Sequence, residues 1–477
     1  MPGQTPSTRG TRTRSILSRR DFLAAAGAGA LTLTAGRWLW AAPDAGGRRP
    51  NIIVILADDL GYADVGYQGC KDISTPHIDS IAAGGVRFTD GYVSCPVCSP
   101  TRAGLMTGRY QNRFGHEFNT GPAPEALTEH VGLPVEETTI ADVMKSAGYA
   151  TGVIGKWHLG IHPKYHPFRR GFDEFFGFLA GSHSYFQPLQ PKWSPVQRGN
   201  EPVNEKAYLT DAFTREAVDF IGRHKEKPFF LYLPYNAPHT PMQAPPKYLK
   251  RFASIEDAKR RTYAAMVSGV DDGVGAVLSA LKDNGLREDT LVIFLSDNGG
   301  PPKANASRND PLSGGKSSAF EGGIRVPFAM QWPGRITPGS VYREPVISLD
   351  ILPTAAAAAG AKLPAQRPVD GVNILPYVTG AAAGAPHEIL FWRRGKDIAV
   401  RKGRWKLRSF REKFLLHDLS ADLAEKTDLS AQHPEVFREL REALARWESE
   451  MAPPRWIPVT RNAPATSPAG ARPARAR

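Results

Sequence analysis

The sequence predicts an α/β fold: a large doubly wound mixed sheet flanked by helices, followed by a smaller C-terminal antiparallel-sheet subdomain and a helix. Asn51–Ala57 and Thr290–Ser296 are unbroken apolar and β-branched runs, which are typical of strands buried on both faces. Helical and strand patterns alternate between these two runs. From Pro386 onward, short strand-like segments separated by tight turns indicate antiparallel hairpins.

The 477-residue chain has a net charge of +13, and most of this charge lies near its ends. Residues 1–50 carry an excess of six positive charges and residues 452–477 an excess of five, so about two remain for the body. A nucleic-acid-binding protein is therefore the weakest functional alternative. Four segments are predicted: 1–45 as export signal and linker, 46–385 as the domain that carries the site, 386–451 as a C-terminal subdomain, and 452–477 as a disordered basic tail.

The amino-terminal segment has the pattern of an export signal. Ser18–Leu23 reads Ser-Arg-Arg-Asp-Phe-Leu and precedes the weakly apolar run Ala24–Trp40, which resembles a twin-arginine signal. Glycines within the run make a permanent membrane anchor the less favoured alternative, and no cysteine near the cleavage region is available to accept a lipid. We expect an exported protein, periplasmic or extracellular, without a stable membrane anchor.

Oxygen-bearing side chains follow both predicted buried strands. Asp58 and Asp59 come directly after the first, and Asp297 and Asn298 directly after the second. Open α/β sheets bind their ligands at the carboxyl ends of the strands. A helix cap or an Asx turn explains one aspartate well but explains two less well. Four hard oxygen donors without imidazole or thiol are the ligand set of Ca²⁺ or Mg²⁺ rather than of zinc.

A cysteine, a proline and an arginine stand where a helix is predicted to begin. Pro100 suits the first helical position, so Cys98 lies at the helix entrance, where free backbone N–H groups and the positive dipole end favour an anion. Arg102, one turn later, reaches the same anion. The alternative for Cys95-Pro-Val-Cys98 is a redox or zinc half-site, but no second C-x-x-C follows and only Cys70 remains as a further thiol.

Basic side chains follow other predicted strands. Lys156 and His158 are two residues apart and project to one side of an extended segment, although such a pair alone is often a surface feature. His239 lies in a Pro-His-Thr-Pro turn, where a lone histidine is usually structural. Lys316 lies in the glycine-rich stretch Leu312–Pro327, which lacks the spacing of a nucleotide-binding P-loop. These motifs alone leave the structural alternatives open.

Together, the motifs resemble the type I sulfatase family of the alkaline phosphatase-like superfamily. The likeness extends from Asn51 to Met451 and favours the arylsulfatase and N-acetylgalactosamine-sulfatase branch. It implies a doubly wound fold and the hydrolysis of sulfuric esters. The matching blocks are C-x-P-x-R at 98–102 with Leu-Met-Thr-Gly-Arg at 105–109, Gly-Lys-Trp-His-Leu-Gly at 155–160, Pro-His-Thr-Pro at 238–241, and the lysine loop at 312–327.

The resemblance implies a role for each matched position. In the family the signature cysteine is oxidised to Cα-formylglycine (3-oxoalanine), whose hydrated aldehyde is the nucleophile, and the spacing assigns this change to Cys98 rather than Cys95. The resemblance further implies that Lys156 binds sulfate and that two histidines assist nucleophile turnover and leaving-group protonation. The implied catalytic set is Cys98, Arg102, Lys156, His158, His239 and Lys316.

The resemblance also implies a bound metal. We expect calcium rather than magnesium, because the larger ion tolerates an irregular oxygen cage better. The implied metal ligands are Asp58, Asp59, modified Cys98, Asp297 and Asn298. If Cys98 is modified, only Cys70 and Cys95 remain to form a disulfide.

A sulfated carbohydrate is the expected substrate, with galactose or N-acetylgalactosamine sulfates favoured, and a formylglycine-generating or sulfatase-maturating enzyme is the expected maturation partner. We expect His183 and Arg308, in the loops Gly181–Phe186 and Ser307–Asp310, to bind the sugar; the alternative is that these are solvated loop residues. A phosphonate monoester or phosphodiester hydrolase of the same superfamily is the nearest alternative function. A non-catalytic carbohydrate-binding relative is a further one, against which the complete set of motif residues argues.

Overall fold

The computed structural model describes residues 48–121, 128–411 and 413–457. The predicted export signal in residues 1–45 and the tail from residue 458 onward lie outside the described part of the chain. The predicted segment boundary after residue 385 stays a prediction.

A ten-stranded mixed sheet forms the centre of the molecule and confirms the predicted fold class. Its strand order is β11-β2-β10-β9-β1-β8-β4-β5-β6-β7, and the five strands from β9 to β5 are parallel. The strands of this sheet are β1 (Asn51–Ala57), β2 (Val86–Phe88), β4 (Ala150–Lys156), β5 (Glu174–Phe178), β6 (Gln197–Arg198), β7 (Glu201–Pro202), β8 (Phe229–Pro234), β9 (Thr290–Ser296), β10 (Phe328–Gln331) and β11 (Ser340–Tyr342).

Two smaller sheets complete the strands. The short strands β3 (Gly91–Tyr92) and β12 (Val346–Ile347) pair in parallel. The C-terminal sheet is antiparallel and consists of β13 (Ile389–Arg394), β14 (Asp397–Lys402), β15 (Trp405–Phe410) and β16 (Lys413–Asp418). Turns of two residues join β13 to β14 and β14 to β15, as the hairpin pattern predicts.

Helices cover the large sheet and flank the C-terminal one. They are α1 (Pro76–Ala83), α2 (Cys98–Thr107), α3 (Ile140–Ser146), α4 (Leu209–Arg223), α5 (Pro246–Leu249), α6 (Ala258–Asp283), α7 (Pro302–Asn305), α8 (Glu321–Ile324), α9 (Ile351–Ala359), α10 (Leu375–Val378) and α11 (Pro434–Ser449).

Capping side chains fix the start of two predicted helices. Thr139 accepts a hydrogen bond from the Asp142 backbone N–H, and the Asp142 carboxylate accepts one from the Thr139 N–H, so α3 begins with a capping box. Asp257 caps α6, which begins at the next residue, Ala258. Within the described residues α6 is long and apolar enough to cross a membrane, but 78% of its apolar window is buried inside the protein.

The register of the central strands determines where the site forms. Ala57 of β1 lies beside Ser296 of β9, and both strands are completely buried. The chain therefore leaves both strands at the same edge of the sheet. The Asp297 N–H donates to the Ala57 carbonyl at 3.0 Å, which joins the two exits.

The C-terminal sheet shares a hydrophobic core with the larger part of the protein. Trp392 of β13 is fully buried and donates its indole N–H to the Val93 carbonyl at 2.7 Å. Trp447 of α11 stacks on Phe391 with ring centroids 5.1 Å apart, and the ring of Tyr110 meets it edge-on at 5.2 Å. The helix α11 therefore packs onto both regions through Trp447.

Residues 452–457, predicted to begin the disordered tail, instead contact the protein body. The N–H groups of Ala452 and Arg455 donate to the carbonyls of Asn112 and Gly115. Trp456 donates its indole N–H to the Asn119 carbonyl at 2.9 Å. These backbone contacts order the segment despite its prolines and arginine, which suggested disorder from composition alone.

Candidate active site

The four predicted oxygen donors meet at the common edge of β1 and β9. Asp58, Asp59, Asp297 and Asn298 are all between 0% and 2% exposed. Asp59 has a positive φ of 66°, which is an uncommon backbone conformation for residues other than glycine. Strained backbone positions of this kind are concentrated at functional sites. The Asp59 N–H donates to Oδ1 of Asp297 at 3.2 Å, so the two strand exits are linked a second time.

Three cations face the three carboxylates. Arg102 donates from Nε and Nη2 to Oδ2 of Asp297 at 3.0 and 2.8 Å, Lys156 Nζ contacts Asp58, and Lys316 Nζ lies 2.6 Å from Oδ1 of Asp59. Burial opposes ionisation of Asp58, but Lys156, His239 and Arg102 outweigh it and hold the Asp58 pKa well below its usual range. Burial also opposes the charge of Lys316, yet Asp59 and other nearby groups raise its pKa well above the ordinary value.

Cys98 is the first residue of α2 and is 1% exposed. Its Sγ lies 3.4 Å from Oδ1 of Asp58 and 3.2 Å from Nζ of Lys316. Burial, with the negative charges of Asp297 and Asp58, raises the pKa of the thiol far above its usual range. A thiolate is therefore strongly disfavoured here, and the unmodified cysteine is a poor nucleophile.

The helix begins two residues earlier than Pro100 predicts. Pro100 occupies the third helical position, where its missing N–H is tolerated because the first turn has no intrahelical acceptors for its N–H groups. Cys95 lies before the helix and accepts a hydrogen bond at its carbonyl from Thr101 Oγ1 at 2.6 Å. Burial raises the pKa of the Cys95 thiol to about 12. Cys70, Cys95 and Cys98 are all free thiols, so Cys70 and Cys95 do not pair in this structure.

Both predicted histidines lie beside the carboxylates and the cysteine. His158 has a φ of 57° and a buried Nδ1 that has no partner among the described residues. Burial is the main cause that holds the pKa of His158 well below its usual range, and the charges of Lys156 and Arg102 add to it, so the imidazole is neutral. His239 donates from Nδ1 to the Thr240 carbonyl at 2.6 Å, which leaves Nε2 3.6 Å from Oδ2 of Asp59. Burial also lowers the pKa of His239, although Asp58 and Asp59 oppose this.

The donor set fits a divalent cation. Ligand atoms of Asp58, Asp59, Cys98 and His239 lie within 4.8 Å of one another. Asn298 donates from Nδ2 to Oδ1 of Asp59 at 2.7 Å, whereas its buried Oδ1 has no partner among the described residues. An unpaired buried oxygen is costly unless a ligand uses it. Carboxylate and amide oxygens match calcium or magnesium.

A hydrogen-bonded brace behind the nucleophile position was not predicted from the sequence. The Ser99 hydroxyl donates to the His158 carbonyl at 2.7 Å and accepts from Nε2 of His116 at 2.7 Å. The Ser99 N–H donates to Oδ1 of Asn119 at 3.0 Å, which satisfies a free N–H at the start of α2. Trp456 packs edge-on against His116 at 4.7 Å. No local sequence signal predicts these contacts, because the polar and aromatic residues that make them do not form a recognisable motif.

The loop that carries Lys316 is held from both sides. The Ser317 N–H donates to the carbonyl of Pro96, just before the nucleophile helix, at 2.8 Å. On the other side, the Ala319 N–H donates to Oδ2 of Asp397 in the C-terminal sheet at 2.7 Å. Further along, Glu321 pairs with buried Lys406 at 2.8 Å. The C-terminal sheet thus helps to place Lys316 beside Cys98.

A cavity of about 640 Å³ opens beside the cysteine. It is lined by Cys98, Asn119, Gly121, His158, Gly181, Ser182, His183, Ser184, Gln190, Pro191, Trp193, His239 and Pro241. His183 donates from Nδ1 to the Ser184 carbonyl at 2.8 Å, and its buried Nε2 has no partner among the described residues. Arg308 is outside this lining: its half-exposed guanidinium lies 3.2 Å from Oδ2 of Asp72.

Comparison with protein families gives two matches. The sequence model described as Sulfatase matches residues 50–361, which is more than half of the chain. A second model, described as N-sulphoglucosamine sulphohydrolase, C-terminal, matches residues 315–450.

Curated relatives include N-acetylgalactosamine-6-sulfatase of Mus musculus, which is 36% identical over 382 residues, covering 75% of this chain and 71% of that protein. Arylsulfatase A of Homo sapiens is 35% identical over 428 residues, covering 82% of each chain. The crystal structure of Ps i-CgsB in complex with k-i-k-neocarrahexaose has a TM-score of 0.81 and 40% identity, covering 86% of this chain and 95% of that one. Phosphonate monoester hydrolase of Agrobacterium radiobacter, at 20% identity and a TM-score of 0.62, shares the fold alone.

Proposed function

Since this chain belongs to the sulfatase family, we propose that it removes sulfate from a sulfated carbohydrate by means of formylglycine derived from Cys98 and a bound calcium ion. Its sulfuric ester hydrolase activity follows from the family. The position of Cys98 carries the proposal: its side chain lies at a helix N-terminus, between the Asp58 carboxylate and the Lys316 ammonium.

The chemistry of Cys98 supports its conversion. The buried thiol, close to carboxylates, resists ionisation and cannot serve as a thiolate at neutral pH. Formylglycine supplies, through its hydrated aldehyde, a hydroxyl nucleophile in the same position. Cys95 lacks the carboxylate and ammonium contacts that surround Cys98, which supports conversion of Cys98 alone.

We propose that Asp58, Asp59, Asp297 and Asn298, with modified Cys98, hold the metal. When bound, the ion supplies positive charge that neutralises the sulfuryl oxygens and favours ionisation of the nucleophile. The three carboxylates are already balanced by three side-chain cations, so a divalent ion leaves the site positive overall. A positive, buried site selects an anionic ester.

Arg102, Lys156 and Lys316 are proposed to bind and orient the sulfate group. The side chains of Arg102 and Lys156 are fully buried, and that of Lys316 is 15% exposed. In a site from which water is excluded, such fixed charges stabilise developing negative charge more strongly than they do in water.

The histidines are proposed to move the protons. His158 is neutral, so its imidazole is ready to accept a proton from the nucleophile position after sulfate transfer. As the bond between sulfur and the sugar oxygen breaks, Nε2 of His239 delivers a proton to that oxygen, which leaves as an alcohol. Burial lowers the pKa of His239, and the carboxylates of Asp58 and Asp59 oppose this shift in favour of the protonated form that the step requires.

For the carbohydrate, we propose a galactose or N-acetylgalactosamine sulfate. The position of His183 in the cavity lining supports a contact between this residue and the sugar. For Arg308, which lies outside the cavity lining, the support remains its sequence position alone. We also propose that the protein is exported to the periplasm or outside the cell and has no stable membrane anchor. A formylglycine-generating or sulfatase-maturating enzyme is the proposed maturation partner.

Peptide mass spectrometry of protein produced with a formylglycine-generating enzyme tests the nucleophile. We expect the thiol-to-aldehyde mass change at Cys98, and we expect Cys98→Ala to abolish hydrolysis while Cys95→Ala, the matched buried control, retains it. Modification at Cys95, or full activity without any modified cysteine, refutes the mechanism. Assays with sulfate esters, phosphate diesters and phosphonate esters at equal concentration, in which sulfated sugars should be preferred, separate the sulfatase from its nearest alternative.

A further inference from the structure

An exposed tryptophan borders the catalytic cavity. Nine large hydrophobic side chains in the described part of the chain are exposed, and three of them, Phe186, Leu189 and Trp193, lie within eight residues on one loop. Trp193 is 37% exposed and is the one member of the nine that lines the cavity beside Cys98. The indole therefore meets both solvent and the cavity.

The position of Trp193 is fixed by its neighbour. The Ser194 hydroxyl oxygen is buried and accepts hydrogen bonds from the N–H groups of Leu179 and Ala180 at 3.2 and 3.0 Å. The Leu179 carbonyl in turn accepts from the N–H of catalytic His158 at 3.1 Å. A short chain of hydrogen bonds thus ties the tryptophan loop to the backbone that carries a catalytic residue.

The cavity combines an aromatic face with polar walls. Gln190, Ser182, Ser184 and His183 contribute polar side chains to its lining. A pyranose ring has hydroxyls around its rim and an apolar C–H face, so it can use both kinds of surface at once. The volume of about 640 Å³ falls among cavities that enclose drug-sized ligands, which exceed a single sugar ring.

We propose that Trp193 is a specificity-determining residue that stacks on the sugar next to the sulfated one, so that the preferred substrate is an oligosaccharide rather than a monosaccharide sulfate. The sulfated sugar lies at Cys98, and its neighbour lies toward the mouth, where the indole is exposed. The contact area of an aromatic ring on an apolar sugar face provides the binding energy. This inference rests on the proposed function and names the substrate class more closely.

The test compares Trp193→Ala and Trp193→Phe with a matched control. Phe168→Ala is suitable, because Phe168 is 38% exposed and lies outside the lining of the catalytic cavity. Each matured protein is assayed on a small aryl sulfate, a sulfated monosaccharide, and an oligosaccharide of the same sulfated sugar. Thermal unfolding of each variant verifies that the fold is retained.

We expect Trp193→Ala to lower the ratio of kcat/KM for the oligosaccharide to kcat/KM for the aryl sulfate by roughly 10- to 100-fold, mainly through KM. Trp193→Phe should restore most of the ratio, and Phe168→Ala should leave it unchanged. An equal loss on all three substrates, or no loss on any, overturns the proposal. A Trp193 variant that keeps the ratio unchanged but no longer binds anionic lipid vesicles also overturns the proposal, because Trp193 would then contact membranes. A wild-type enzyme inactive on every sulfate ester refutes the proposed function instead.

Discussion

At the scale of single residues, Asp58 is where the charges of the site converge. Its carboxylate contacts Lys156, lies 3.7 Å from Nη2 of Arg102, and lies 3.4 Å from the Cys98 sulfur, all in a buried environment. Removal of this carboxylate would leave the buried ammonium of Lys156 without its carboxylate partner, at an expected cost of about 3 to 5 kcal/mol.

The variant Asp58→Asn keeps the side-chain shape and removes the charge. We expect it to lose bound calcium and to lower kcat by at least about 1,000-fold, because the metal and the nucleophile both depend on this carboxylate. Elemental analysis and steady-state kinetics provide the measurements.

Asp64→Asn is the matched control: Asp64 is also fully buried and lies 2.7 Å from a cation, Arg260, but it is outside the site. Its variant should lose stability yet keep calcium, and a full calcium content in Asp58→Asn contradicts the proposed ligand set.

At the scale of elements, the C-terminal sheet supports the active-site loop through a buried ionic cluster. Lys406 of β15 is fully buried between Oε1 of Glu321 at 2.8 Å and Oε1 of Glu425 at 3.0 Å. Glu321 follows Lys316 by five residues and its N–H donates to Glu425 at 2.6 Å. The strand β15 therefore helps to hold the segment that follows Lys316.

Replacing Lys406 by Met tests this support. The carboxylates of Glu321 and Glu425 then lose the ammonium between them and keep one arginine each, Arg325 and Arg408, both at 3.3 Å. We therefore expect a loss of about 3 kcal/mol in the free energy of unfolding, the lower end for breaking a buried ion pair, and a lower kcat at permissive temperature. Urea denaturation and kinetics give the two values. Lys402→Met on the neighbouring strand is the control, since Lys402 pairs with Glu388 and Glu439 in solvent, where screening weakens the attraction. Similar stability losses in both variants are incompatible with a special role for Lys406.

A second prediction at this scale concerns His387, which joins the segment before β13 to Asp350. Burial disfavours the imidazolium, but the Asp350 carboxylate, 2.8 Å away, outweighs burial and raises the His387 pKa. Because the folded-state pKa exceeds the unfolded value of about 6.5, this pair stabilises the fold fully below that pH, and the stabilisation is lost as pH rises through the folded-state pKa.

We therefore expect wild-type protein to lose roughly 1 kcal/mol more stability than His387→Asn when pH is raised from acidic values through and above the folded-state pKa. Chemical denaturation at a series of pH values measures the difference. Parallel pH profiles for the two proteins, with no additional loss in wild type, contradict a folded-state pKa of His387 above the unfolded value.

At the scale of the whole molecule, the predicted segments 46–385 and 386–451 share one core. Trp392 is buried beneath the loop that precedes α2, and Trp447 packs against Tyr110. In the same cluster Leu349 and Tyr92, from the larger part, are 0% exposed. Removing the C-terminal sheet would expose apolar surface next to the nucleophile helix, which carries a large hydrophobic cost.

Truncation tests this dependence. We expect a chain that ends at residue 385 to lose cooperative thermal unfolding and all sulfatase activity. A chain that ends at Ile457 retains the contacts made by Ala452, Arg455 and Trp456, so it should keep both. Calorimetry and activity on a sulfated sugar distinguish the two chains. A soluble, cooperatively folding and active 46–385 fragment contradicts the shared core.

The sequence by itself determined the architecture and the chemistry of the site. Buried-strand patterns located β1 and β9, and because parallel strands end at one edge, they also predicted that Asp58, Asp59, Asp297 and Asn298 meet. Pro100 predicted a helix entrance at Cys98, which is the first residue of α2. These inferences succeed because each depends on residues close together in the chain or on the regular geometry of a sheet.

Only the tertiary structure decided which side chains support the site and which border it. Ser99 meets His116 and the His158 carbonyl, Lys406 meets Glu321, and Trp193 reaches the cavity mouth. Arg308, although close in sequence to the proposed metal ligands Asp297 and Asn298, pairs with Asp72 outside the cavity lining. Contacts between residues tens of positions apart depend on how loops and sheets pack. A short polar or aromatic segment has no periodicity from which that packing can be predicted.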